Sequence, residues 1–186
     1  SIFNTDGGDL IILGGIENDG NFILNNGINS NCIYGTGTTI IAGEIINSST
    51  IVNSVKINEN KQLTTEADKI NGNINNLGNY VLTGGENNNC IYGTGTTKIN
   101  GSVINSSTIV NDVIINQNKQ LTTNATNIIG NIENSGNLIF NGGTNNNTIT
   151  GTGITQIYDN VINQANITQN NLEILNVYDF NSPSSI

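Results

Sequence analysis

One relation dominates this chain: it matches itself at an offset of 58 residues. Cys32-Ile33-Tyr34-Gly35-Thr36-Gly37-Thr38-Thr39 returns as Cys90-Ile91-Tyr92-Gly93-Thr94-Gly95-Thr96-Thr97, and a looser third copy reads Thr148-Ile149-Thr150-Gly151-Thr152-Gly153-Ile154. Lys61-Gln62-Leu63-Thr64-Thr65 likewise returns as Lys119-Gln120-Leu121-Thr122-Thr123. The first two copies are identical at about two thirds of their positions. A period of this order signals a solenoid or an array, in which one unit cannot bury its apolar face without a neighbour.

The copies span 14–71, 72–129 and 130–175, the last diverging toward its end. Residues 1–13 read as an N-terminal cap or partial coil and 176–186 as a C-terminal cap or tail. No linker or change of composition separates the copies, so the whole of 1–186 is expected to form one continuous stacked body.

Within each copy the apolar residues come in runs too short for helices, such as Phe22-Ile23-Leu24, Tyr80-Val81-Leu82 and Leu138-Ile139-Phe140. Strict alternation follows at Ile41-x-Gly43-x-Ile45 and Val55-x-Ile57, and again at Ile99-x-Gly101-x-Val103 and Val113-x-Ile115. Period two is the strand signature, and the intervening Asn, Gly and Ser clusters are turns. β-Branched residues dominate while Arg and Met are absent, so almost no helix is expected.

Division of the repeat into three predicts coils of about 19 residues and about ten coils in all. The expected fold is therefore all-β, a single-stranded right-handed parallel β-helix with three coils per repeat. In the third copy Leu172 and Ile174 match Val113 and Ile115 only at an offset of 59. One inserted residue in the Gln169-Asn170-Asn171 turn keeps the inward face inward, because a slip of one would expose it.

About a fifth of the chain is Asn. Asn tolerates the left-handed backbone of tight corners, and its amide can bond to an Asn one coil away. The columns expected to use this are Asn18/Asn76/Asn134, Asn21/Asn79/Asn137, Asn29/Asn87/Asn145 and Asn47/Asn105/Asn163, with other members between them. Gly35 and Gly37, with Gly93, Gly95, Gly151 and Gly153, are expected at sharp corners of positive φ. They lack the Lys and the following helix of a phosphate loop.

Chemistry is poorly provided for. There is no His, and the only cations are five lysines against fourteen acids, giving a net charge of -9. Such a chain repels phosphate backbones, which argues against nucleic-acid binding. The acids vary from copy to copy: Glu44 aligns with Ser102 and Asn160, and Glu86 with Ile28 and Thr144. They read as solvated surface, and a Ser or Cys nucleophile would lack its His base. No catalytic, cofactor-binding or metal-ligating residue is assigned. Asp6-Gly7-Gly8-Asp9 is a single echo of calcium-roll sequence.

Cys32 and Cys90 occupy one place in successive copies, with Thr148 in the third. Three stacked coils would set the two thiols roughly 14 Å apart, beyond disulfide reach, so small and partly buried structural positions are expected. Asn47, Asn105, Asn124 and Asn166 begin glycosylation sequons, which arise readily in so Asn-rich a chain. No apolar stretch is long enough for a membrane helix, so no membrane insertion by this segment is expected.

The segments Gly93 to Thr97, Leu121 to Ala125 and Asn134 to Phe140 resemble the passenger repeats of bacterial autotransporter-type surface proteins, over about 14–175. The resemblance implies a right-handed parallel β-helix displayed outside the cell as a stalk or adhesin. Its partners would be a host or neighbouring-cell surface, glycan or protein. A second reading is an extracellular filament subunit that stacks end to end on itself, and a third is a polysaccharide-active enzyme on the same scaffold.

Overall fold

In a computed structural model that describes residues 14–175, the chain folds as short strands of two to four residues, every named pair of them parallel. Helix is confined, among the described residues, to two 3-10 turns, Ala67–Lys69 and Ala125–Asn127. The apolar runs read from the sequence are strands at Asn21–Leu24, Asn79–Leu82 and Asn137–Phe140.

Pairing is never between sequence neighbours. Each strand bonds to one 16 to 19 residues away, as in Ile41 with Ile57 and Val113 with Ile132. The described residues therefore wind as a parallel β-solenoid of about nine coils, each about 17 residues long. A coil has three sides, and the inward residues of each side form a column.

The first column runs Ile16, Ile33, Ile51, Ile70. It resumes after the first 3-10 turn, where Ala67 N–H donates to the Gly84 carbonyl, as Gly85, Val103, Leu121, Leu138, Thr155, Leu172. The second column runs Phe22, Thr39, Val55, Ile74, Ile91, Ile109, Ile128. Beyond the second 3-10 turn it continues as Gly143 and Val161. The third is the nine-stranded sheet, with Gly27, Ile45, Leu63, Tyr80, Thr97, Val113, Ile132, Ile149 and Ile167 in register.

These registers correct the coil length. From Ile16 the chain passes the first column again at Ile33, Ile51 and Ile70, and only then reaches Ile74, the repeat-equivalent of Ile16, in the second column. Ile132, the third equivalent, stands in the third column. A repeat is thus three coils plus one side, and each copy is turned by one side of the prism relative to the copy before it. Coils are shorter than the expected 19 residues because a three-sided section lets a repeat restart on any side. An integral number of coils is not required.

The interior is a stack of Ile, Val and Leu with almost no exposure from Ile33 to Ile149. At about 25 cal/mol per Å² of apolar surface, this burial is the main stabilising contribution, set against the entropy of ordering the chain. Alternation does the sorting: Glu44–Asn47 and Ser102–Asn105 both read exposed, buried, exposed, buried. The inserted residue of the third copy is visible as a longer step. Thr39 pairs with Val55 and Thr97 with Val113 at a separation of 16, whereas Thr155 pairs with Leu172 at 17. Leu172 and Ile174 accordingly stay on the inward side. The expected caps at 1–13 and 176–186 lie outside the described residues.

Candidate functional site

The repeated residues converge on corners. Gly35, Gly93 and Gly151 have φ of +109, +112 and +113, where a side chain would be strained, as expected. Gly37, Gly95 and Gly153 do not share that conformation, which corrects the expectation for them. Their reason is close approach: a Cβ on Gly95 would stand 2.4 Å from the Gly78 carbonyl oxygen, and one on Gly37 would stand 2.1 Å from that of Gly20.

Asn18, Asn76 and Asn134 face the same glycines, but as staples between coils and not as an Asn ladder. The Oδ1 of each accepts from the backbone N–H two residues on, at Gly20, Gly78 and Gly136. The Nδ2 of each donates to a carbonyl twenty residues on, at Thr38, Thr96 and Ile154, with distances of 3.1, 3.0 and 2.9 Å. One side chain thereby closes its own turn and ties it to the next coil.

The ladder lies elsewhere. Asn29 Nδ2 donates to Asn47 Oδ1 at 2.7 Å, and Asn47 Nδ2 donates to Thr65 Oγ1 at 3.2 Å. Asn87, Asn105 and Thr123 repeat the arrangement at 2.7 and 3.1 Å, and Asn145 bonds to Asn163 at 2.7 Å. Two columns read from the sequence as separate are therefore rungs of one ladder, 18 residues apart. The available signal was the shared pattern Asn29-x-Asn31 and Asn47-x-Ser49, in which each Nδ2 also donates to the carbonyl two residues on. Because Asn47 and Asn105 are buried and their amides engaged, these two sequons are closed to glycosylation in the folded chain. Left-handed Asn is rarer than expected: only Asn60 and Asn118 adopt positive φ among the described residues.

The outward positions are less uniform. Cys32 and Cys90 are free and half-buried, each one residue before a fully buried Ile, and Thr148 in the third copy is exposed. The turn of one side per repeat puts Cys32 beside the first column and Cys90 beside the second, so the two do not stack as the expected axial spacing assumed. Tyr34 and Tyr92, two residues on, are exposed. On the third side Ile28, Ile46, Thr64 and Val81 follow one another in register, with Ile28 and Ile46 exposed and Val81 buried. A shallow groove of about 280 Å³ beside them is lined by Ile46, Ser48, Thr64, Glu66, Lys69 and Thr83. Lys69 and Glu66 form an ion pair at 3.4 Å, and both become Asn in the second copy, as Asn127 and Asn124. The groove's charge is thus not a property of the repeat.

Titratable groups do not gather. Among the described residues no three acids or cysteines come together as a metal-binding group would. The Asp19 carboxyl is held below its usual range, first by the Thr36 backbone N–H and then by the Thr36 hydroxyl, both 3.0 Å away on the next coil. Burial raises the Tyr80 phenol far above its usual range, and its hydroxyl has no hydrogen-bond partner. Both are features of corners and core.

The chain is thus a parallel β-solenoid whose repeated polar residues bind one coil to the next. No family model, curated protein or solved structure matches it. No described helix is long and apolar enough to cross a membrane.

Proposed function

We propose that this chain is a non-enzymatic, extracellular structural or adhesive solenoid, a stalk or passenger segment of a bacterial surface protein. The observation that carries the reading is the division of labour between repeated and variable residues. Those that return in every copy, including Gly35, Gly93 and Gly151 and the staples Asn18, Asn76 and Asn134, set corners or tie coils together. The acids change from copy to copy. What recurs is thus what fixes a shape, whereas the carboxylates that could do chemistry do not recur. A stack with backbone hydrogen bonds along its axis resists bending, which suits a spacer that presents a surface at a distance.

The test is a binding assay on glycan arrays and intact cells, together with turnover of oligosaccharides. Saturable binding without turnover is the expected result. Hydrolysis or elimination that disappears when one Asp or Glu is neutralised would replace this reading with the enzyme.

One observation favours end-to-end stacking as a second reading. Leu172 and Ile174 continue the inward columns of Leu138 and Phe140, yet each is 45% exposed. No described coil lies over them, and among the described residues their strand pairs on one side alone. Sedimentation over a concentration series separates the readings: a monomer at every concentration removes the filament, and growing rods that Leu172→Asp abolishes would establish it.

A further inference from the structure

Two buried amide nitrogens in this solenoid lack a partner at the same place in successive repeats. Thr39 Oγ1 donates to Asn53 Oδ1 at 2.8 Å, and Thr97 Oγ1 donates to Asn111 Oδ1 at 2.8 Å. Asn53 and Asn111 are 4% and 5% exposed, and the Nδ2 of each is buried without a hydrogen-bond partner in the protein. Each such nitrogen carries two donors, and buried donors are nearly always satisfied.

The third repeat shows what these donors want. Gln169 stands where Asn53 and Asn111 stand, and its Oε1 accepts from Thr155 Oγ1, the counterpart of Thr39 and Thr97. Its side chain is one carbon longer. Gln169 Nε2 reaches across the coil that carries Gly151 and Gly153 and donates to the Asn134 carbonyl at 3.0 Å, with the Thr150 carbonyl at 3.4 Å. Asn134 Nδ2 also approaches Gln169 Oε1 at 3.3 Å. The carbonyls in the corresponding places are those of Asn18 and Tyr34 in the first repeat, and of Asn76 and Tyr92 in the second.

The Tyr34 carbonyl accepts one bond, from Asn18 N–H at 2.7 Å, and the Asn carbonyls also have capacity left. The Asn134 carbonyl accepts from Gly153 N–H at 2.8 Å and still takes the Gln169 bond, using both lone pairs. The Asn18 and Asn76 carbonyls accept from Gly37 and Gly95 N–H at the same 2.8 Å. A second lone pair on each is then available. Asn falls short by one carbon, about 1.5 Å, and glycine on the intervening coil supplies no side chain to fill the difference.

We propose that the first two repeats each hold one ordered water at this corner. The first accepts from Asn53 Nδ2 and donates to the Asn18 and Tyr34 carbonyls; the second does the same with Asn111, Asn76 and Tyr92. The Gln169 side chain replaces this water in the third repeat. The ligand is neutral because the site pairs an N–H donor with two carbonyl acceptors: a cation would face the donor and an anion the carbonyls. A molecule of water's size that both accepts and donates meets all three, and buried waters typically make about three hydrogen bonds.

The test is a high-resolution crystal structure of the whole chain and of the variants Asn53→Gln, Asn111→Gln and Gln169→Asn, with urea unfolding of each beside Asn53→Ala. Water density within hydrogen-bond reach of Asn53 Nδ2 and Asn111 Nδ2, and none at Gln169, is expected. Each Asn→Gln change should remove its water and leave the urea midpoint at or above that of the parent, while Gln169→Asn should acquire a water. Dry corners in the parent structure would overturn the proposal. So would Asn→Gln variants whose midpoints fall as far as that of Asn53→Ala, or a Gln169→Asn corner that stays dry.

Discussion

The second and third repeats carry nearly the same inward pattern and bury it to different degrees. Val103, Asn105, Val113 and Ile115 of the second are all inside, while their counterparts in the third, Val161, Asn163, Leu172 and Ile174, are partly or largely exposed. Pairing is not the cause, since Thr155 to Ile157 bond in register with Leu172 to Ile174 as Thr97 to Ile99 do with Val113 to Ile115. The difference is a neighbour on the far side. A coil inside the stack is covered from above and below, and the last described one has, among the described residues, the coil before it alone. In a solenoid, burial is thus a property of the stack, and an inward pattern only makes it possible.

The comparison can be broken most forcefully in the core. Leu121 is fully buried and Leu172 is 45% exposed on the same column. Leu121→Ala is expected to cost about 3 kcal/mol, and Leu172→Ala less than about 1 kcal/mol. Urea unfolding followed by circular dichroism measures both; equal losses would mean that the last coil is covered in solution, as end-to-end stacking requires.

A smaller contrast lies in the ladder. Asn105→Ala removes the acceptor of Asn87 and leaves Thr123 without its donor inside the body, at an expected cost of about 1 to 3 kcal/mol. Asn163→Ala removes the same kind of acceptor from Asn145 at an exposed position and is expected to cost under about 1 kcal/mol. Hydrogen exchange of the flanking strand amides would report which coil loosens in each case.

Tyr80 sharpens the comparison at one position of the unit, occupied by Phe22 in the first copy and Leu138 in the third. Its hydroxyl is buried and unpartnered, so Tyr80→Phe removes an unmet polar group and keeps the ring. The variant is expected to be as stable as the parent or up to about 1 kcal/mol more stable. A lower thermal midpoint would show that the hydroxyl does find a partner.

The smallest expected effect concerns acid. Asp19 belongs to the first copy alone, its place being taken by Leu77 and Ser135 in the others. Its folded pKa is lowered by the Thr36 N–H and hydroxyl, so its contribution is present above the unfolded value of about 3.9 and is lost as pH falls through the lower folded value. Asp19→Asn is expected to flatten the decline of the first coils' stability below about pH 4 and to leave the rest unchanged. Exchange protection at pH 3 and pH 6 checks this; an unchanged acid slope in the variant would count against it.

Much of the architecture was legible from local signals. The runs beginning at Asn21, Asn79 and Asn137 became strands, and the extra residue after Gln169 was readable because alternation cannot slip by one without turning Leu172 outward. The staple role of Asn18, Asn76 and Asn134 was not legible, because the carbonyls they reach lie twenty residues away and no local rule picks them out. Nor was the pairing of Asn29 with Asn47, which needed the coil length. The thiols show the same limit: their equivalence was plain in the repeat, while their separation onto different sides followed only from the registers.

What the sequence by itself determined is which residues can turn inward and where the chain must bend. Period-two alternation and the Gly and Asn of the corners act through each residue's own backbone and nearest neighbours. The tertiary structure decided the coil length, the step of one side per repeat and the extent to which each inward residue is covered. These depend on contacts about 17 residues apart, where corners of differing length must close onto a common register before any side chain meets the one that buries it.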